Sequence, residues 1–490
     1  MDYELPSLRA TVRLGGQTKS KLSSTQFYDV EFYPYTPPGV DPVFAVCGGH
    51  LVLICRCIRK KNDTIEILRI FEDEENVPAD STSDDKLPSL KYNSVVWSQT
   101  EDGDPLVCVT GTSRIQVLNV RTGSLVVTLI GHGENINDLA VSPTDPTILA
   151  SGSEDNTVRI WCLHPSRKKQ PLAAICYGQG HKDQAYHRKG RYILSAGMDT
   201  KVILWTVPDD IKEHAGTDKP AMVHYPHFST TEIHTEFVDC VQWYNDLILS
   251  RASRENKIIL WSIDNFNSDR TQTPAAPMPT SSAVHSRTPV SIPANSTSST
   301  RSAWGGRFQR LLQFELPHTD QFYIRFSVLH ELGRHPMLVA GNEKSKVFFW
   351  DLQRLENSGT GEDGSQHTTG PLHGLPRYVR EGSSASTASS SISGSAATTK
   401  TKLKKLKAKE QARDRGICDP FRSIKAHKVV EIPKYKAFAF RHFAWSRDGQ
   451  WCIGVGDCGF INVFHRWENG LPPINPDKGI PREKEKKKIS

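Results

Sequence analysis

One stretch constrains the fold of this chain more than any other. Residues 131–161 read GHGENINDLAVSPTDPTILASGSEDNTVRIW, a Gly-His pair, two short apolar runs, and a closing S-x-S-x-D-x-x-V-x-I-W. Short apolar runs bounded by Gly, Pro, Asn and Asp read as strands joined by tight turns. The pattern recurs in weaker form. Gly180-His181 leads to ILSAGMDTKVILW, ending at Trp205, and Ile233-His234 leads to a unit ending at Trp261. Residues 323–351 repeat it with Trp350, and residues 436–465 repeat it with Phe464 in the tryptophan position. Two earlier units, 28–57 and 92–120, lack the tryptophan. A unit of about 40 residues repeated along a chain cannot bury its apolar faces alone and must stack on its own copies.

The Gly-His to Trp spacing is the signature of a WD-type repeat, in which each unit is one four-stranded blade of a β-propeller. Ile148, Leu149, Val158 and Ile160 are expected to face neighbouring blades, Asp155 to make a tight turn, and His132 to tie turns together with a Ser or Asp partner. Seven units predict an all-β, seven-bladed WD40 β-propeller. The N-terminal strand Leu8–Leu14 is expected to complete the last blade and so remove the exposed sheet edges. Trp97, Trp161, Trp205, Trp243, Trp261 and Trp350 are assigned to blade packing, and His132, His181 and His234 to structural hydrogen bonds.

One unit is short. From His132 to Trp161 is 29 positions, but from His181 to Trp205 only 24. The shortfall falls in GHKDQAYHRKG, where the innermost strand belongs. Either that strand is lost or shortened, or the sequence carries a small deletion; the second is favoured, because a missing inner strand leaves backbone donors unpaired.

The propeller spans residues 1–466 with two inserts, 267–306, rich in Ser, Thr and Pro, and 355–420, rich in Ser and Gly and then basic; residues 467–490 form a basic tail. These segments have too little apolar content to fold alone and are expected to be disordered. Charge follows the same division. Segment 400–416 carries eight basic and two acidic residues and segment 482–488 five basic and two acidic, which is +6 and +3 of a total of +7. The remainder carries −2, so attraction to nucleic acid belongs to these segments rather than to the folded body. Segment 400–416 reads as an import signal, a weak DNA or nucleosome contact, or a solubilising linker.

The ten cysteines form no CxxC pair, and histidines do not recur at zinc-finger spacing, so the cysteines read as reduced core thiols and no metal or other cofactor is expected. No apolar run approaches a membrane span and the N-terminus lacks the layout of a signal peptide, which predicts a cytosolic or nuclear protein without membrane association.

Segment 223–250, VHYPHFSTTEIHTEFVDCVQWYNDLILS, resembles the extra sex combs / embryonic ectoderm development (EED) family of Polycomb proteins. The shared skeleton is H-x-P-x-F-S-T-x-x-I-H, then V-D-C-V-x-W, then D-L-I-L-S. GHGENIN at 131–137, SAGMDTKVILW at 195–205 and YIRFS at 323–327 carry the same resemblance, which covers all seven blades but neither inserts nor tail. The inserts and lysine tail resemble a fungal-type elaboration. The resemblance implies a non-catalytic subunit of Polycomb repressive complex 2 in the nucleus. It implies a chromatin reader and scaffold that binds a trimethylated lysine of the histone H3 tail in an aromatic cage on one propeller face. The opposite face holds a helix of the Enhancer-of-zeste methyltransferase, within a complex that includes further subunits. Occupancy of the cage stimulates that enzyme and supports transcriptional repression.

By local match the cage falls on Tyr28, Tyr92, Phe322 and Tyr323. Aromatic faces around a gap attract a methylated ammonium by about 0.5–2 kcal/mol each. Tyr28 stands where the family has Phe, and Phe322 where it has Trp. Tyr92 lies one residue further from Trp97 than the family spacing; a loop bulge absorbs this, or Asn93 takes the position. Phe322 and Tyr323 are adjacent, so both line one gap only if they sit in a loop. Asn137, Asp239, Arg325 and Arg441 match family contacts to the flanking peptide, whereas Glu154, Gln184 and Phe237 replace a Lys, a Glu and a Tyr. Two other function classes stand beside this reading. A generic WD40 adaptor, such as a substrate receptor of a cullin ubiquitin ligase, often carries W-D-x-R, and no blade end here matches it. An enzyme would need a nucleophile elbow, a metal motif or a phosphate loop, and none is present.

Overall fold

The computed structural model describes residues 4–13, 25–59, 64–72, 92–177, 181–278, 299–357, 419–432 and 437–466. Short apolar runs between turn residues become strands, and the strands group into seven sheets. Blade 1 comprises Asp29–Phe32, Val43–Gly48, Leu51–Cys57 and Ile65–Glu72. Blade 2 comprises Ser94–Gln99, Pro105–Thr110, Arg114–Asn119 and Leu125–Ile130. The inner strands of blades 3 to 7 are Ile136–Val141, His181–Tyr186, Val238–Tyr244, Phe326–Leu329 and Phe440–Trp445. The ring closes as the sequence predicts. Strand Ser7–Arg13 pairs antiparallel with Phe460–His465 and becomes the outermost strand of blade 7. Blades 3, 4 and 5 each gain a fifth strand, Ala221–Val223, Arg301–Ser302 and Ser423–Ile424.

The apolar core divides into seven clusters, one per interface between neighbouring blades. Leu149 and Trp161 of blade 3 pack with Val96 and Cys108 of blade 2. Ile148, Val158 and Ile160, on the opposite face of the same sheet, pack with Ile193, Ile203 and Trp205 of blade 4. The last cluster joins Trp451 and Ile453 of blade 7 to Phe27, Val30 and Phe44 of blade 1. The six tryptophans assigned to packing are all buried. Eight of the nine described cysteines are buried too; Cys458 is the exposed exception.

Turns are tied by side-chain networks. In blade 3 the His132 Nδ1 lies 2.8 Å from Asp155 and its Nε2 2.7 Å from Ser151 Oγ, which also accepts the indole N–H of Trp161 at 2.8 Å. Blade 5 repeats the arrangement with His234, Glu255, Ser250 and Trp261.

The short blade 4 corrects one of the two expectations, loss of its inner strand. Its inner strand His181–Tyr186 is present and pairs along Tyr192–Gly197. In blade 3 four positions separate His132 from the first inner-strand residue, Ile136, whereas in blade 4 the histidine itself opens the strand. The shortening therefore falls in the connecting loop. The strand's backbone donors and acceptors are met by the ladder even though its sequence, HKDQAY, is polar.

The edges of the two inserts join the fold. Ser268 and Trp304 are buried, and Leu355 packs from helix Leu352–Asn357 into the core between blades 5 and 6. Residues 279–298, 358–418 and 467–490, including the basic segments and Cys418, lie outside the described residues. Among the described residues no helix is long and apolar enough to cross a membrane.

Candidate functional site

Every predicted site residue lies at, or a few positions before, the start of an inner strand. Inner strands run in one direction around the tunnel, so their starts share one rim. Contacts across the ring confirm this convergence. The Tyr323 hydroxyl, from the loop entering blade 6, hydrogen-bonds Asn137 Oδ1 of blade 3 at 3.0 Å. The Tyr323 ring meets the Tyr28 ring, from the entry to blade 1, edge-on at 6.3 Å between centroids.

The loop that carries Phe322 and Tyr323 occupies residues 316–325, between strands Phe308–Glu315 and Phe326–Leu329. Tyr323 has φ +56, the left-handed region that a bulky side chain seldom enters. One left-handed residue breaks the alternation that would send adjacent side chains to opposite faces. The Phe322 ring stacks on Phe237 of blade 5 at 5.6 Å, and Tyr323 turns inward to blades 1 and 3.

Tyr92 joins the rim by its backbone. Its N–H bonds the Gly49 carbonyl, two residues from the Cys47 carbonyl that accepts the N–H of Tyr28. Its ring belongs to the core between blades 1 and 2, and its hydroxyl donates to Gln116 at 2.5 Å. Neighbouring Asn93 donates to the Ile136 carbonyl of blade 3.

The four peptide-flanking candidates make internal bonds. Arg325 is buried and donates to Asp138 at 2.9 Å and to the Asn137 carbonyl. Asp239 is buried against Arg251, at 2.6–2.7 Å. Arg441 is partly exposed, bonds Asp457, the Phe322 carbonyl and Gln321, and lays its guanidinium 5.7 Å from the Tyr28 ring centre. One face of Tyr28 thus already holds a cation against it. Glu154 is linked to Asn137 at 3.4 Å.

Burial holds the phenols of this rim protonated. It raises the Tyr323 hydroxyl to about 12 and raises Tyr28, against the opposing charge of Arg441. Beneath them the tunnel encloses about 140 Å³, lined by residues that include Asp29, Glu31, Asp138, Arg325 and His442. Burial alone would raise the Asp29 carboxyl, but the His442 ring at 2.5 Å, the Arg325 charge and the Val95 N–H bring it below its ordinary value. The rim therefore offers neutral aromatic faces above a tunnel that holds the ionised Asp29 carboxylate, a setting that favours a large, weakly hydrated cation. Among the described residues no cluster of His, Cys, Asp and Glu could hold a metal.

Sequence reasoning missed Arg251, whose guanidinium reaches the loop of Phe322 and Tyr323, and the Asp29 and Asp138 partners of Arg325. The signal for Arg251 was a charge inside the strand run LILSRA, where every other position reads as buried.

Comparison with known proteins places the fold within one family. Residues 123–162 match the family model for the WD domain, G-beta repeat. The chain is 32% identical to Polycomb protein EED of Chaetomium thermophilum, over 97% of this chain and 98% of that protein. It is 24% identical to Polycomb protein esc of Drosophila melanogaster, over 72% of this chain and 76% of the relative. Among solved structures it is similar to a chain of the Chaetomium thermophilum polycomb repressive complex 2, with TM-score 0.72 and 32% identity over 95% of this chain and 99% of the other. A chain of that organism's complex with H3K27me3 and H3K27M gives TM-score 0.74 and 32% identity, over 95% and 98%.

Proposed function

This chain belongs to the EED family of Polycomb WD-repeat proteins, non-catalytic components of a complex whose methyltransferase is a separate subunit, and from that premise we propose that its cage rim reads a methylated lysine. Tyr28, Phe322 and Tyr323 supply the aromatic faces, whereas Tyr92, expected as a fourth wall, packs its ring between blades 1 and 2 and supports the rim from behind; Asn137, Asp239, Arg325 and Arg441 hold the loops that bear them or meet the flanking peptide. The observation that carries the reading is the Tyr28–Tyr323 ring pair, which joins blades 1 and 6 over the tunnel mouth. Tyr323 reaches it through a left-handed backbone that costs about 1–2 kcal/mol. The relative solved with H3K27me3 supports a trimethylated H3 tail as the ligand.

The propeller face opposite the cage takes a helix of the Enhancer-of-zeste-type methyltransferase, and the other subunits of the complex dock around it. Cage occupancy stimulates the enzyme to the extent that the peptide binds the active conformation of the assembly more tightly than the inactive one. A chromatin role places the protein in the nucleus, where segment 400–416 adds a weak, salt-sensitive contact to DNA.

The test is methyltransferase activity of the assembled complex with methylated peptide added in trans. The Tyr323→Ala protein should assemble normally and show no stimulation. Loss of assembly in that variant would make Tyr323 a core residue and end the reading.

A further inference from the structure

We propose that Arg251 is a positioning residue for the cage, acting through the loop that carries Phe322 and Tyr323; this rests on the reader assignment above. Arg251 lies on strand Leu247–Ala252 of blade 5 and is fully buried. Its Nη1 donates to both carboxylate oxygens of Asp239, at 2.7 and 2.6 Å, and to the Ile324 carbonyl at 2.8 Å. Its Nη2 donates to the carbonyls of Thr319 at 2.5 Å and Gln321 at 3.3 Å. One guanidinium therefore binds the loop at three points that flank the two aromatic residues on both sides.

That loop has no strand ladder of its own, so its buried carbonyls need donors from elsewhere. Arg251 supplies them from below, and Arg441 binds the Phe322 carbonyl from the side. Between these two anchors Tyr323 is held left-handed. The planar fork is what makes this possible, since its donors point in fixed directions toward a carboxylate and several carbonyls at once. A lysine ammonium at the same site carries the charge and can pair Asp239, but it is shorter and cannot span the same partners. A buried ion pair is in general a weak source of stability, and apolar residues of like volume often serve as well. The use of this one is the geometry it imposes on the cage. Asp239 accordingly serves as the counter-charge that keeps Arg251 in place, rather than as a contact for peptide.

The experiment compares the full-length chain with Arg251→Lys, alone and combined with Tyr323→Ala. It measures peptide binding by calorimetry and amide hydrogen exchange across residues 316–325 and, as a reference, across blade 2. Arg251→Lys should weaken binding of the trimethylated peptide by roughly 10-fold or more, as sites held loosely by their supporting residues do. It should speed exchange in 316–325 and leave blade 2 protected. In the Tyr323→Ala background it should cause no further loss of binding. Unchanged exchange in 316–325 overturns the proposal. So does an Arg251→Lys variant that is unfolded or loses protection in every blade, since the residue is then a general structural one. If the unaltered chain shows no preference for methylated peptide, the reader assignment fails, and the exchange data alone decide the tether.

Discussion

Replacing Glu31 by Gln should raise stability at neutral and alkaline pH and leave it unchanged in acid. Glu31 lies on the inner strand of blade 1 and lines the tunnel. Burial, reinforced by the nearby Asp29 and Asp138 charges, lifts its carboxyl to about 8 from an ordinary 4.5, against the Trp97 N–H bond that favours the ionised form. The folded protein thus keeps a proton that the unfolded chain releases near pH 4.5. Stability from this group is complete below pH 4.5, declines as the pH climbs, and is lost above pH 8. The gap of about 3.5 pH units at about 1.36 kcal/mol each sets a ceiling of about 5 kcal/mol. Glu31 is only partly buried, and solvent screening reduces this to about 2–3 kcal/mol. A glutamine oxygen can still accept the Trp97 N–H, a bond of 2.8 Å in the unaltered protein. For a domain of this length 1 kcal/mol moves Tm by about 1–2 °C. Thermal melts followed by tryptophan fluorescence from pH 5 to pH 9 should coincide at pH 5 and separate by about 3–5 °C at pH 9, with the Gln variant higher. Parallel curves across the range would refute the reasoning.

Other outcomes follow from the same geometry. Ser151→Ala removes the hydroxyl that donates to His132 Nε2 and accepts from Trp161, and should cost about 1–3 kcal/mol, read as a lower Tm, because the Trp161 N–H is left buried and unbonded. The Glu255 carboxyl is held at about 2, with burial outweighed by the His234 hydrogen bond and charge and by the Thr235 N–H. Its contribution is therefore present above pH 4.5 and lost as the pH falls toward 2, and acid titration of Glu255→Gln should show a decline shallower by about 1–3 kcal/mol. Deleting residues 400–416 should weaken binding to short duplex DNA and flatten its salt dependence, with peptide binding unaffected; equal DNA affinity in the deletion would remove that segment from the account.

The fold was legible because its signals are local. A Gly-His pair, a turn Asp and a closing Trp mark the clearest blade, and weaker copies of that pattern bring the count to seven. Strand Ser7–Arg13 could be read as the closing strand because an N-terminal apolar alternation had nowhere else to pair. The inner strand of blade 4 was not legible because it lacks the apolar pattern, and ladder bonds that belong to the backbone leave no mark in side-chain sequence. The candidate cage positions rest on family resemblance alone. Edge-on packing of Tyr28 and Tyr323 depends on a backbone torsion at one residue and on bonds between blades 3 and 6, separated by 186 positions. Arg251 shows the same limit, since its partners lie 12 to 73 positions away and only the folded ring brings them together.

The most direct test of the central claim is calorimetric titration of the purified chain with H3-tail peptide, trimethylated or unmethylated at the repressive lysine. The account predicts clear preference for the trimethylated peptide and loss of that preference in Tyr323→Ala. Equal binding of the two peptides, or a preference that survives Tyr323→Ala, would contradict it.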